Sequence, residues 1–359
     1  MRFPSLRISL TNVQGEGASH LVGSLLPALE AQTATAIRRV DLPDRGALST
    51  YRVLDPGTLQ RTYRRRLPNA LSRLFECLRP LADDDGMPLL VLGDLPLRSK
   101  GIQTVFVHNT HVLARQAGVS GRQAVKFASM RAVFRHNLRH ATQVVVQTEL
   151  MRRNLVASYP ILEGRVCVIR QPPPAWLLAH PAALRTATRS ARLRLFYPAA
   201  AYPHKNHGLI AQLAHHSIVI GAVDEIVVTL DPFGRKPSQG LIQYVGHLDP
   251  EAMRDRYSRT DALFFPSLSE SYGLPLVEAM WLGLPIVCSD LPYAHELCGN
   301  QAFYFNPHDV HSAAAAIDTL ASRVAQGWCP DWSQALANIP RDWNNVASQL
   351  LAIAVGSEA

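Results

Sequence analysis

The sequence predicts an α/β protein made of two domains, each a doubly wound parallel sheet. Three observations carry this. Short apolar runs alternate with helix-period patterns along most of the chain, as parallel strands and their crossover helices do. The 359 residues exceed what one hydrophobic core usually supports. The alternation also breaks at Gln171-Pro-Pro-Pro174 and then starts again.

In the first half the strand-like runs are 6–10, 36–41, 88–92, 104–108, 143–147 and 165–169, and the helical patterns are 18–31, 67–78, 121–140 and 148–158. Proline lacks an amide donor and restricts the residue before it, so the triple proline ends regular structure. From there to about residue 192 the chain is rich in Ala and Arg without a strand pattern, as expected of a connection. In the second half strands are expected at 193–197, 218–220, 225–230, 241–246, 262–265 and 285–288, with helices at 206–215, 250–259, 276–282 and 310–326. A last pattern, 343–354, is helical and apolar on one face. The predicted division is a first domain at 1–175, a linker at 176–192, a second domain at 193–340 and a terminal helix at 341–359. In such sheets ligands bind in the crevice at the carboxyl ends of the strands.

Bulk properties narrow the function class. Hydrophobic content of 47% and charged content of 18% describe an ordered globular protein. No apolar run approaches the ~20 residues that span a bilayer, and the first ten residues read as a strand and not a signal peptide. The five cysteines form no Cys-x-x-Cys pair, which argues against a disulfide framework or zinc site and fits a reducing cytosol. Charge is uneven. Residues 1–180 hold 24 Lys and Arg against 12 Asp and Glu, while residues 181–359 hold 12 against 16. The excess is densest at Arg61, Arg64, Arg65, Arg66, Arg73 and Arg79, and at Arg122, Lys126, Arg131, Arg135 and Arg139. Both stretches interleave bases with apolar residues, which favours peripheral contact with an anionic membrane. No nucleic-acid motif accompanies the charge.

The most informative stretch is Glu270-Ser-Tyr-Gly-Leu-Pro-Leu-Val-Glu278, continued by Ala279-Met280 and Gly283-Leu-Pro-Ile-Val287. The apolar run 262–265 leads through Pro266-Ser267 into a loop, a glycine turn and an amphipathic helix. A strand, a close backbone approach and a helix N-terminus in succession suit an anionic ligand. Glu270 stands in the loop and Glu278 inside the helix. Taken with its flanks, this pattern resembles the retaining glycosyltransferases of family 4, whose type B fold sets two Rossmann-like domains about a central cleft.

The resemblance implies a retaining, metal-independent hexosyltransferase that needs no cofactor and uses a nucleotide-diphosphate sugar as donor. It implies that Glu270 holds the donor sugar and Glu278 the ribose hydroxyls, while backbone amides at Tyr272, Gly273 and Leu274 meet sugar and phosphate oxygens. Lys205, in Tyr202-Pro-His-Lys205-Asn206, would contact the diphosphate, and backbone at Val245 and Gly246 would hold the base. The family often has an arginine five or six residues before that lysine. Here Ala199 and Ala200 stand there, which leaves His204 and Arg235 as candidate second cations. In the first domain the resemblance sets His108 at the lip of the cleft near the transferred sugar. Weaker cleft or acceptor candidates are His111, Asp94, Thr148, and Gly15 and Gly17 in the loop after the first strand. Phe303-Tyr-Phe-Asn-Pro307 and the segment from Asp290 to Glu296 look like enzymes of bacterial O-antigen synthesis, with mannose or a deoxyhexose as the transferred sugar. The acceptor would be a growing or lipid-linked glycan at the inner face of the plasma membrane. Two other readings fit the same sheets: another type B enzyme of sugar nucleotides, such as an epimerase, or a non-catalytic nucleotide-sugar-binding protein.

Overall fold

The computed structural model describes residues 5–13, 16–33, 35–63, 69–113, 121–180, 192–232 and 238–356. The chain divides into two compact units, residues 1–172 with 340–359, and residues 173–339.

The first unit begins with β1 (Ser5–Ser9), α1 (Glu16–Glu30), β2 (Ala36–Pro43), β3 (Leu59–Tyr63), α2 (Asn69–Leu78), β4 (Leu89–Val91) and β5 (Gln103–Phe106). It continues through α3 (Gly121–Asn137), β6 (Gln143–Val146), α4 (Glu149–Ser158) and β7 (Val166–Val168). Its strands form one parallel sheet in the order β3-β2-β1-β4-β5-β6-β7. The order reverses direction between β1 and β4. The central strands are buried on both faces, which is why they read as unbroken apolar runs.

This sheet also buries an ionic cluster. Arg7 on β1 and Arg39 on β2 both donate to Asp41, at 2.6 and 2.8 Å. All three side chains are buried, and the Arg7 guanidinium reaches the Ala82 carbonyl at 3.0 Å. A buried carboxylate is thus met by two cations, and donors cover its oxygens.

The second unit holds α5 (Ala175–Leu178), β8 (Leu193–Tyr197), α6 (His207–Leu213), α7 (Ser217–Ala222), β9 (Val223–Val228), β10 (Ser238–Gln239) and β11 (Ile242–Tyr244). After these come α8 (Pro250–Ser258), β12 (Ala262–Phe265), α9 (Leu274–Trp281), β13 (Ile286–Ser289), α10 (Pro292–Cys298), β14 (Phe303–Phe305), α11 (Val310–Ala325) and α12 (Ser333–Ala337). The sheet order is β10-β11-β9-β8-β12-β13-β14, parallel except for the short edge pair β10 and β11. Here the direction of winding reverses between β8 and β12. Several helices start on side chains suited to capping: Asp249, Asp309 and Asp342 each accept a backbone amide of the first turn. The last helix, α13 (Trp343–Val355), belongs to the first unit and packs chiefly on α1.

The segment 218–220, expected as a strand, is part of helix α7. Its β-branched run suggests a strand, yet burial follows helical spacing, with Val219 and Ala222 inside and Ile218 and Ile220 outside. The strand that follows starts two residues earlier than expected, at Val223. The expected strand 241–246 is shorter, ending at Tyr244 before a left-handed Gly246. Strands β3, β10 and β14 and helices α5, α10 and α12 were not expected.

Candidate active site

The reversal between β8 and β12 brings two loops side by side, because the strands before them are hydrogen-bonded neighbours. Lys205 lies on the loop after β8 and Glu270 on the loop after β12. Lys205 Nζ meets Glu270 Oε1 at 2.5 Å, with the two side chains 14% and 12% exposed. The ammonium also lies 5.7 Å from the centre of the Phe265 ring, the last residue of β12.

Buried tyrosines brace both loops. The Tyr197 hydroxyl donates to the Lys205 carbonyl at 3.0 Å, and the Tyr293 hydroxyl to the Ser267 carbonyl at 2.6 Å. The Leu268 amide bonds the His204 carbonyl at 2.7 Å and ties one loop to the other. Asn206 adopts a left-handed conformation, φ 54°, and its amide reaches the Pro307 carbonyl at 2.9 Å. The Lys205–Glu270 pair is therefore fixed by its supports as well as by its own attraction.

Helix α9 opens at Gly273, whose φ of 96° few side chains tolerate. A Cβ there would also sit 3.1 Å from Leu276 Cδ1. Tyr272 is buried immediately before this turn. Leu274 and Pro275 begin the helix, and proline at this position forfeits no helical hydrogen bond. One turn further in, Glu278 is buried, and its Oε2 accepts a 2.6 Å hydrogen bond from the Tyr257 hydroxyl on α8. Burial pushes the Glu278 carboxyl up to about 7, and the Tyr257 bond pulls the other way.

Of the candidate second cations, His204 stacks on Tyr202 with ring centres 5.6 Å apart. Burial, helped by Lys205 and His207, holds its imidazole below the ordinary value against the pull of Glu270. At neutral pH it therefore offers a hydrogen bond and not the charge absent at Ala199 and Ala200. Arg235 and Gly15 lie outside the described residues, as do Arg64, Arg65 and Arg66. At the end of β11, the Val245 amide bonds the Val228 carbonyl and the Gly246 amide bonds the Leu230 carbonyl, both at 3.1 Å.

In the first unit the winding reversal places Asn12 against Gly93. A Cβ on Gly93 would lie 2.7 Å from Asn12 Cβ, so only glycine fits. The next residue, Asp94, is buried and left-handed at φ 65°, rare outside glycine. Its Oδ1 accepts the His108 amide at 2.9 Å and lies 3.5 Å from His108 Nδ1. Sequence reading names Asp94 and His108 separately, and the fold joins them. His111 stacks on Phe127 at 3.9 Å. Thr148 caps α4 by accepting the Met151 amide at 3.1 Å. Gly17 is an exposed residue in the first turn of α1. No cluster of three or more potential metal ligands occurs among the described residues. Tyr257 escapes sequence reading. Met253 and Tyr257, four apart in a charged helix, mark a buried face, but nothing in the pattern pairs Tyr257 with Glu278.

Residues 239–323, which include Tyr257, Glu270 and Glu278, match the family model described as glycosyl transferases group 1. Among curated proteins the chain is 31% identical over 134 residues to the O-antigen chain mannosyltransferase RfbU of Salmonella typhimurium, covering 34% of this chain and 36% of that protein. It is 34% identical over 94 residues to O-antigen chain mannosyltransferase B of Escherichia coli, covering 26% of this chain and 24% of that protein. The chain thus spans about a third or less of the length of these relatives. Among solved structures it is similar to WaaG, a glycosyltransferase involved in lipopolysaccharide biosynthesis. That match has a TM-score of 0.66 at 13% identity and covers 98% of this chain and 100% of the other. Residues 239–323 are therefore a glycosyl transferases group 1 domain, carried on a chain with the two parallel sheets of the type B glycosyltransferase fold.

Proposed function

We propose that this chain is a glycosyltransferase that moves a hexosyl group from a nucleotide-diphosphate sugar to a growing or lipid-linked glycan. Retention of the anomeric configuration and a place in bacterial surface-polysaccharide synthesis belong to the same reading. The observation that carries it is the Lys205–Glu270 pair at 2.5 Å, held on the two loops where the sheet winding reverses. The O-antigen mannosyltransferase names of the relatives put mannose first among donor sugars.

In this reading the second unit binds donor. Lys205 offsets the charge that grows on the departing diphosphate, so no divalent metal is needed. Glu270 orients both the lysine and the sugar hydroxyls, and Glu278 accepts from the ribose. The amides of Tyr272, Gly273 and Leu274 supply further donors, and the backbone at Val245 and Gly246 holds the base. Acceptor recognition is assigned to the first unit, on His108 braced by Asp94, with Gly15, Gly17, His111 and Thr148 as lesser candidates.

Contact with anionic lipid at the inner membrane face is part of the proposal. Exposed Phe75 and Leu78 on α2 beside Arg79, and exposed Val125 beside Lys126 on α3, support an interfacial surface. No helix among the described residues is long and apolar enough to cross a membrane.

The test is to incubate purified protein with UDP-, GDP- and dTDP-hexoses, with and without bacterial lipid extract, and follow nucleoside diphosphate release and acceptor mass. Acceptor-dependent release with an anomeric configuration matching the donor is expected. Turnover to an epimerised donor without acceptor, or binding without turnover, would replace this reading with one of its rivals.

A further inference from the structure

We propose that Tyr257 is the positioning residue for Glu278: its hydroxyl fixes one carboxylate oxygen and leaves the other to accept from a vicinal diol of the nucleotide. This rests on the reading that the second unit binds a nucleotide sugar.

The geometry is specific. Tyr257 is fully buried on α8, and its ring stands edge-on to Phe196 of β8, with centres 5.1 Å apart and planes at 82°. That packing aims the hydroxyl at Glu278 Oε2 on α9, 2.6 Å away. Among the described residues no cation pairs with this carboxylate, and no second hydrogen bond reaches its side chain. Compare Asp41, equally buried, which two guanidiniums neutralise. A buried carboxylate left with one neutral donor is costly unless something else completes it. A ligand offering two adjacent hydroxyls would do so and would cover the remaining oxygen.

Protonation sharpens the inference. Tyr257 is the one titratable side chain among the described residues that acts on Glu278, and burial raises the tyrosine well above its ordinary value, so it remains a donor. Its hydrogen bond favours the ionised carboxylate, the form that accepts from two hydroxyls. Without it the midpoint for ionisation rises, and diol binding at neutral pH weakens.

The experiment is calorimetric titration of GDP and UDP, each against its 2′,3′-dideoxy counterpart, across the neutral range for wild type, Y257F and E278Q. In wild type the advantage of the ribo form should grow as pH rises through neutrality. In Y257F that rise should move to higher pH, with a roughly tenfold loss at neutral pH and unchanged affinity for the dideoxy forms. E278Q should show no such pH dependence. If Y257F does not fold, 3-fluorotyrosine placed at 257 alone, a stronger donor, should move the midpoint down. A wild-type midpoint that ignores both changes at Tyr257 would overturn this inference alone. Wild-type protein that binds neither nucleotide would overturn the donor-site reading and this inference with it.

Discussion

Both units bury a carboxylate within a parallel sheet and its helices, and they treat it in opposite ways. In the first unit Asp41 sits between Arg7 and Arg39, neutralised by its own fold. In the second, Glu278 meets no cation and one phenolic donor among the described residues, and its carboxyl rises to about 7. A compensated buried charge stiffens a structure and is finished. An uncompensated one retains unspent affinity, and such groups gather where ligands bind.

The comparison breaks first at Asp41. Replacing it with alanine leaves the buried Arg7 without an anion and Arg39 with only the exposed Asp83, 3.4 Å away, and unfolding in urea should show a loss of about 3–5 kcal/mol. Stability unchanged by Asp41→Ala would mean that the cluster opens to water and that the contrast is false. Next come Lys205→Ala and Glu270→Gln. Each should lower turnover roughly 10²–10³-fold while the denaturation midpoint stays near wild type. Loss of stability equal to the loss of activity would make this pair another structural bridge like that at Asp41.

Glu278→Gln sharpens the contrast through pH. The folded carboxyl sits near 7 and the unfolded one near 4.5, so the folded protein binds the extra proton between those values. Wild-type stability from this group is therefore present at low pH and is lost as pH rises from about 4.5 to 7, by about 3 kcal/mol. The glutamine variant should lack that decline, so its stability relative to wild type should climb over the same window. Parallel pH profiles for the two proteins would rule out a raised carboxyl. The smallest expected effect is that of chelation. Dialysis against EDTA should leave turnover unchanged, and adding Mg²⁺ or Mn²⁺ should not raise it. A several-fold stimulation by either ion would remove Lys205 from its role as the offsetting charge.

Much of the architecture was legible because buried parallel strands are written as apolar runs. Leu193–Tyr197 and Ala262–Phe265 are such runs, and the loops after them carry Lys205 and Glu270. What remained hidden has physical causes. Strand β3 is an edge strand with mostly exposed side chains, so it lacks the apolar signature. Helix α7 carries Ile218, Val219 and Ile220, whose β-branching favours a strand until packing on α11 decides otherwise. The Tyr257–Glu278 bond joins two helices through side chains twenty-one positions apart, and no local periodicity encodes such a meeting. The Asp94–His108 contact was hidden for the same reason, since the two residues end different strands fourteen positions apart.

Helix α13 follows the second unit in sequence yet packs on α1, with Leu350 and Leu351 buried in the first unit. On the ribosome, that unit must therefore wait with an uncovered apolar flank while the whole of the other is synthesised. Removing α13 would loosen a unit made well before it, so protease sensitivity near α1 reports on residues made hundreds of codons later.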